Sequence, residues 1–443
     1  MDRVGDNIVK TGDATVESCL IYPSTNANPY DLTAVWMTIS IYESIGVDYI
    51  RMEMTFTDTQ NLIERIPIIT NEKIVVKYRT DSLEETQTFV GRITAIPIRK
   101  NVNQGTQIFA LEAITEEFIF NQKVKFSKSY NKMLISDMVF DIFEQYVKPV
   151  SGKEIAILPT LEQESKVIPN YSPMRAINWL TKWARSPKYR SGASYVFYQN
   201  SNNFYFGPVE DLIDPENINS TIPSYTYTTN VMNQNPLNKD MEANFRNIIN
   251  YSTKSIAHVN MMDTGTMSSS VVSHDLVTRK IYTSTYNYFD NFEDNVHLES
   301  FPITNETQLG AYPLSRVLYS PEHYGAFGGA INSNRNQQTA SNRYSQIGQL
   351  KMNGLEIVVP GDSNRTIGEV VNVELPSIGA QTKEDTFADV DAYLSGKYLV
   401  WNLKHDITRT PSGKITYFNH MRLYRDSNRQ KLPDQVAFPF GTA

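Results

Sequence analysis

Hydrophobic and polar residues alternate with a period of two at both ends of the chain. In Tyr49–Thr57, Ile50, Met52, Met54 and Phe56 fall on one side and Arg51, Glu53, Thr55 and Thr57 on the other. That is the pattern of a strand with one buried face. Ile74, Val76 and Tyr78 repeat it against Lys73 and Lys77. Two further runs, QTFVGRITAIPI and TQIFALEAIT, flank the turn-like stretch Arg99–Gly105, so they predict a hairpin closing a small antiparallel barrel or sheet. The last region behaves alike. LEIVVPGD runs into a Pro-Gly turn, and IGEVVNVELP puts Val371, Val373 and Leu375 on one face. SGKYLVWNLKHDIT does the same with Leu399, Trp401, Leu403 and Ile407. After the RTPSG turn, KITYFNHMRLYRD aligns Ile415, Tyr417, Met421 and Leu423.

Between these ends the period changes. Leu134, Met138, Ile142 and Tyr146 recur at helical spacing and predict an amphipathic helix over Asn131–Tyr146, ended by Pro149 and Gly152. Ser172-Pro173 predicts a second start, with Ser as the cap and Pro in the first turn. Its apolar stripe is Ile177, Leu180 and Trp183-Ala184. ASYVFYQ and NNFYFGP, joined by Asn200-Ser201-Asn202, predict a hairpin. From Glu216 to His258 the chain is extended and polar, closing on the strand-like NIINYSTKSIAHV. Val259–Gln349 is rich in Ser, Thr, Asn, Tyr and Gly with little periodicity. Its Tyr and Phe residues predict a folded insertion with a thin core, and a helix from Asn334 toward Leu350.

The expected class is α+β, mostly antiparallel β. The expected division is a first β-barrel module at 1–122, a small α+β domain at 123–215, and a second β-barrel module from 216–258 with 350–426. An inserted domain occupies 259–349, and 427–443 forms a tail. The first and last regions share an order: opening strand, turn, Val-rich strand, spacer, long closing hairpin. This reads as an internal duplication, against the alternative of two unrelated sheets that both obey strand alternation. A trimer of such a chain would carry six similar modules.

At 443 residues there is room for several domains. The net charge of −7 comes without long like-charge runs, which argues against a dedicated nucleic-acid binder and for a surface past which DNA slides. No apolar stretch reaches the roughly 18 residues of a membrane helix, so no stable membrane insertion is expected. The polar opening Met1–Thr15 lacks the apolar core of a signal peptide. Cys19 is the single cysteine, which excludes an internal disulfide and fits assembly in a reducing cytoplasm.

Candidate chemistry is thin. His258, His274, His297, His323, His405 and His420 form no HxH, HxxxH or HExxH pair, and one cysteine cannot build a thiolate zinc site. His405, on the apolar face of its strand, reads as a core histidine bonded to backbone. His274-Asp275 lacks a GxSxG nucleophile turn. The pairs Glu84-Glu85 and Glu116-Glu117 read as solvated faces rather than a glycosidase's carboxylates. Gly328-Gly329 and Pro360-Gly361 read as turns. The aromatic run Tyr282–Phe289 could stack on sugars, but packing or a subunit interface is its commoner use. No catalytic, cofactor-binding or metal-ligating residue is assigned, and the chain is read as a non-enzyme.

The segment from LEIVVPGD to HMRLYRDS resembles the last module of the late-control, tail-tube-initiating baseplate hub family of contractile-tailed bacteriophages, which is related to the hub module of type VI secretion spikes. The matching positions are Gly361-Asp362, Gly368, Val371, Gly396, Tyr398, Val400 and His405. The helical segments SDMVFDIFEQY and SPMRAINWLTKWA sit where such hubs place theirs. The resemblance implies a homotrimeric ring whose two barrel modules per subunit mimic six subunits. Such a ring adapts a three-fold spike to the six-fold tail tube and starts the tube, within the virion's tail baseplate. The implied partners are other copies of the chain, a tube or tube-initiator protein, baseplate wedge proteins, and DNA crossing the channel without specific binding. Because the chain stops soon after Asp426, the spike with its OB-fold and needle is expected as a separate protein, docked through Ser427–Ala443. The competing reading is a glycan-binding or cell-wall-degrading tail component, against which stands the lack of short β-helix repeats.

Overall fold

A computed structural model describes residues 12–23, 28–59, 68–103, 105–189, 194–218, 222–227, 244–255, 258–277, 279–304, 316–322, 335–377, 390–391, 393–410 and 412–432. The strands in the first region are β1 (Ala14–Tyr22), β2 (Tyr30–Asp31), β3 (Trp36–Ser44), β4 (Arg51–Asp58), β5 (Lys73–Thr80), β6 (Gln87–Asn103) and β7 (Thr106–Thr115). The middle of the chain holds β8 (Phe126–Leu134), β9 (Ile155–Ile157), β10 (Gln163–Tyr171), β11 (Tyr195–Gln199), β12 (Phe204–Pro208), β13 (Ser224–Tyr227), β14 (Asn247–Ile248) and β15 (Asn250–Ser255). Then come β16 (Ser268–Asp275), β17 (Lys280–Asn287), β18 (Phe301–Pro302) and β19 (Arg316–Glu322). The last region supplies β20 (Asn353–Pro360), β21 (Val370–Glu374), β22 (Gly396–Arg409), β23 (Ile415–Arg425) and β24 (Ser427–Asn428).

Fourteen of these strands form one sheet, in the order β14-β13-β21-β22-β3-β4-β7-β6-β5-β1-β2, with β23, β20 and β15 branching from β22. The fold is therefore mostly β with few helices. The strand that joins its two halves is β22. One edge pairs with β21 over Gly396–Leu399 and then with β3 over Asn402–Thr408, while the other edge pairs with β23. A bulge at Trp401 marks the change of partner, and the Trp401 carbonyl accepts the N–H of Ile45 at 3.0 Å. Bulges sharpen the twist of a strand, which lets one strand serve two sheet directions.

Two cores lie along this sheet. Ile39, Ile41, Met52, Met54, Phe56, Ile74, Val76 and Phe109 build the first, joined by Ile407 and Tyr417 from the last region. Val371, Val373, Leu399, Leu403, Met421 and Leu423 build the second, joined by Ile45 from the first region. So β22 and β23 pass from one core to the other in mid-strand. Among the described residues no closed barrel is found: β3 hydrogen-bonds directly to β22, so the first set of strands continues into the second. The Tyr417 N–H reaches back to the Gly12 carbonyl at 2.7 Å.

A third core belongs to the middle of the chain. Helix Ile135–Ile142, its π-helical continuation Phe143–Val147 and helix Pro173–Leu180 pack Met138, Ile142, Phe143, Met174 and Ile177 against Phe197, Phe204 and Phe206 of the β11–β12 hairpin. Ser172 and Pro173 open the second helix as expected. The first helix starts four residues later than its spacing suggested, because Asn131–Leu134 belong to β8, which pairs with β10. Pro149 sits inside the final turn Lys148–Ser151, and Gly152, with φ +68°, ends it. In the first region, Arg99–Asn103 is strand rather than turn, so the β6–β7 hairpin projects further than expected. A fourth, small core (Met261, Met267, Tyr288, Phe292, Met352) lies beneath the sheet β17-β16-β19 and the helix Arg335–Leu350.

Candidate functional site

The passage of β22 and β23 between cores is built around polar side chains. Strand alternation points His405, Tyr417 and Asn419 inward with the apolar residues, and all three are fully buried. Nδ1 of His405 faces two donors, the Tyr417 hydroxyl at 2.6 Å and the Asn419 amide nitrogen at 3.0 Å. It therefore accepts, and the ring is neutral. Burial pushes the His405 pKa down to about 3, and the nearby Arg365 charge adds to that. The histidine's partners are side chains rather than the backbone expected from sequence. Asn419 Oδ1 in turn accepts from Arg365 Nη1 at 2.7 Å and from the Asp362 N–H at 2.7 Å. Arg365 also donates to the Tyr225 hydroxyl at 3.0 Å and to the carbonyls of Phe245 and Pro360. One buried guanidinium thus ties two segments of the last region to two from residues 225–245.

The glycines of the resemblance motif have physical reasons. A Cβ on Gly361 would fall within the ring of Tyr417. Gly368 has φ +87°, and a Cβ there would overlap the Tyr198 hydroxyl. Gly396 has φ +139°, where an L side chain is strained, and faces the Glu299 carboxylate. Tyr398 donates to the Leu394 carbonyl at 2.6 Å, and Val371 and Val400 fill the second core.

The opposite face of the same strands is a ladder of paired charges. Glu53 takes Arg51 at 2.9 Å and the Tyr42 hydroxyl at 2.9 Å. Asp406 takes Lys404 at 3.2 Å and Ser40 Oγ at 2.7 Å. Glu356 takes Arg422 at 2.6 Å and Lys254 at 2.7 Å. Burial opposes ionisation of Asp406, but bonds from His420 and Ser40 and the Lys404 charge outweigh it and hold the carboxyl at about 2. A groove of about 610 Å³ runs over this face, lined by Tyr42, Asn402, Lys404, His420, Arg422 and Glu356 among others.

A second buried cluster joins the helical domain, the insertion and the end of β23. His297 has Asp426 Oδ2 at 2.7 Å from Nδ1 and the Phe292 carbonyl at 2.9 Å from Nε2. Two acceptors on two ring nitrogens require an imidazolium. Burial disfavours that charge, but the Asp426 charge and both hydrogen bonds outweigh it and raise the His297 pKa. Nearby Glu210 is fully buried, and burial pushes its carboxyl up to about 6. A raised histidine pKa adds stability that is complete below the unfolded value, about 6.5, and is lost as pH rises through the folded value. Melting temperatures of wild type and His297→Gln should therefore differ more at pH 5.5 than at pH 8.5. A gap independent of pH would show that His297 is not held as a cation.

Other candidate residues settle into packing. Cys19 is buried against Met54, and burial pushes its thiol up to about 12. Glu116 pairs with Lys73 and Arg92, and Glu117 is buried, bonded to Ser151 Oγ at 2.8 Å and to Gln199 at 3.2 Å, so that pair is not a solvated face. Glu84 and Glu85 are exposed. His274 bonds the Tyr319 hydroxyl at 2.7 Å, and Tyr286 and Tyr288 of the aromatic run are buried. His323, Gly328-Gly329 and the tail beyond 432 lie outside the described residues, as does the side chain of His258. Among the described residues, no group of three or more His, Cys, Asp or Glu could hold a metal ion, and no helix is long and apolar enough to cross a membrane.

The sequence gives no role to the polar residues that matter most here, Arg365, Asn419, His297 and Glu210, nor to the fully buried Arg425, which donates to the Ser395 carbonyl at 3.2 Å. Asn419 and Arg425 fall in step with Tyr417, Met421 and Leu423, so the alternation itself was the available signal.

No protein-family model and no curated protein matches the sequence. Solved structures share its fold. A 43 kDa tail protein of prophage MuSo2 from Shewanella oneidensis superposes with a TM-score of 0.52 at 10% identity, covering 93% of this chain and 98% of its own. The tail protein from Neisseria meningitidis MC58 gives 0.53 at 10% identity, covering 92% and 96%. At this identity the likeness is one of fold, and it extends over nearly the whole of each chain. Both neighbours are tail proteins, the same class of protein that the sequence motif resembles.

Proposed function

We propose that this chain is the structural baseplate hub of a contractile phage tail, a homotrimeric ring that adapts a three-fold spike to a six-fold tube and initiates the tube. The observation that supports this reading is the pair of cores set side by side on one sheet and bridged by β22 and β23, on a fold shared over nearly its whole length with a prophage tail protein and a second tail protein. In this proposal residues 1–122 form one tube module and residues 216–258 with 350–426 the other. Three chains then present six modules. Exposed strand edges become subunit contacts rather than aggregation sites. The helical domain 123–215 and the insertion 259–349 sit outside that ring. A separate spike protein with OB-fold and needle docks on one face, the tube or its initiator on the other, and wedge proteins at the rim.

The ladder face suits the lumen of such a ring. Glu53 and Asp406 each pair with one cation and Glu356 with two, so a polyanion meets only a small positive excess on the ladder. DNA would cross it without specific binding. The role needs no catalytic residue, and the protein would be assembled in the host cytoplasm and end in the virion baseplate.

Light scattering and negative-stain images of the purified chain, alone and mixed with its spike, test the proposal. The expected result is a trimer with a central hole. A stable monomer in both samples, or an elongated particle without a hole, overturns it.

A further inference from the structure

A groove of about 670 Å³ opens between the turn that follows helix Pro173–Leu180, the helix Arg335–Leu350 and the edge strand β19. Among the described residues, its lining includes Lys182, Arg316, Arg343 and Lys351 and no carboxylate. That composition is unusual for a chain of net charge −7. Several cations elsewhere are matched: Lys73, Arg92, Lys128, Lys148, Lys188, Lys254 and Arg422 each have a carboxylate partner within 3.0 Å. Among the described residues, Lys182, Arg316 and Lys351 have none. Arg343 is spent on the carbonyls of Thr181 and Tyr195 and fixes a positive charge in the wall. Lys351 lies over the ring of Trp401 and is half-buried, and burial lowers its pKa, so it stands desolvated without a counter-charge.

Apolar surface lies between these cations: Trp183, Met261, Ile347 and Tyr344, the last 52% exposed. A groove of this size, with aromatic walls and a few fixed charges, has the make-up of a site that anchors side chains.

We infer that this groove is a docking site for an acidic polypeptide segment of a partner protein, carrying an aromatic or large aliphatic side chain between its carboxylates. The carboxylates would neutralise Lys182, Arg316 and Lys351, and the apolar side chain would cover Trp183 and Tyr344. Nucleic acid fits less well. The cations are gathered in one pocket rather than strung along a path that follows a phosphate backbone. The inference stands whether or not the chain forms a ring.

The test uses the full chain and a fluorescein-labelled peptide, Asp-Glu-Phe-Asp-Leu-Glu, followed by anisotropy. A peptide with lysines in place of the acidic residues and a twelve-nucleotide oligo-dT serve as comparisons. Saturable binding of the acidic peptide is expected, weakened by salt and reduced about tenfold or more in the double variant Lys182→Glu/Arg316→Glu. Both substitutions are at exposed positions, and the melting temperature checks that the fold survives. Tyr344→Ala, also exposed, should weaken binding without altering its salt dependence. Absence of saturable binding, equal affinity in the double variant, or equal or tighter binding of the oligonucleotide overturns the inference.

Discussion

Gly361→Ala is expected to destabilise the protein by about 3 kcal/mol or more, a large cost for one methyl group. The added Cβ lands within the Tyr417 ring, close to its point of attachment, where the ring has least freedom to swing. Tyr417 is fully buried, packed edge-on to Tyr78 and bonded through its hydroxyl to His405. Backbone retreat is blocked as well, because the Gly361 N–H donates to the Tyr417 carbonyl at 2.8 Å and holds the two chains at a fixed spacing. Relief must come from moving β20 and β23 apart, which opens both cores at once. Gly46→Ala is the control: the new methyl meets only ordinary contacts at 3.7 and 3.8 Å. Urea denaturation should put that control within about 0.5 kcal/mol of wild type. Equal losses for the two variants would mean that the close approach at Gly361 is easily relaxed.

Arg365→Leu is expected to cost about 3–5 kcal/mol. Leucine fills part of the volume but leaves Asn419 Oδ1, the Tyr225 hydroxyl and the carbonyls of Phe245 and Pro360 without their donor in a site water does not reach. Removing one donor from a buried network costs more than that donor's bonds contribute, because the remaining groups stay desolvated. Lysine should recover only a minor part, since one ammonium cannot reach along the three directions of the guanidinium fork. The same urea experiment reads this series. A loss for Arg365→Leu below about 1 kcal/mol would show that those acceptors find other donors.

Strand alternation carried most of what the sequence disclosed. Ile50, Met52, Met54 and Phe56 are buried as their spacing implied, and the Ser172-Pro173 helix start and the β11–β12 hairpin lie where expected. Alternation assigns a face but not a neighbour. Nothing in the spacing of β3 or β22 announces that they pair, so two separate barrels were expected where one sheet runs through. The same limit explains Asn131–Leu134: their apolar spacing suits a helix, but pairing with β10 decides otherwise. Arg99–Asn103 reads as a turn by composition, yet its partner Thr106–Phe109 continues the ladder. The buried polar residues were hidden for a different reason. Asn419 and Arg425 look like interruptions of an apolar face until Arg365 and the carbonyls of Tyr393 and Ser395 are seen to satisfy them. The glycines of the motif were visible in sequence, but their reasons, a ring and a hydroxyl filling the space of a Cβ, belong to the tertiary structure.

The pairing of β3 with β22 has a consequence for synthesis. Ser40 and Asp406, which meet across it, are 366 positions apart. A ribosome adding about 5–20 residues per second releases β3 roughly 20–70 s before its partner exists. For that interval the first seven strands can assemble only as far as β3, with one row of backbone N–H and C=O groups unmet. Nascent chains on one polysome would carry this same open edge side by side, so the sheet's midpoint in the finished protein is its most vulnerable margin during translation.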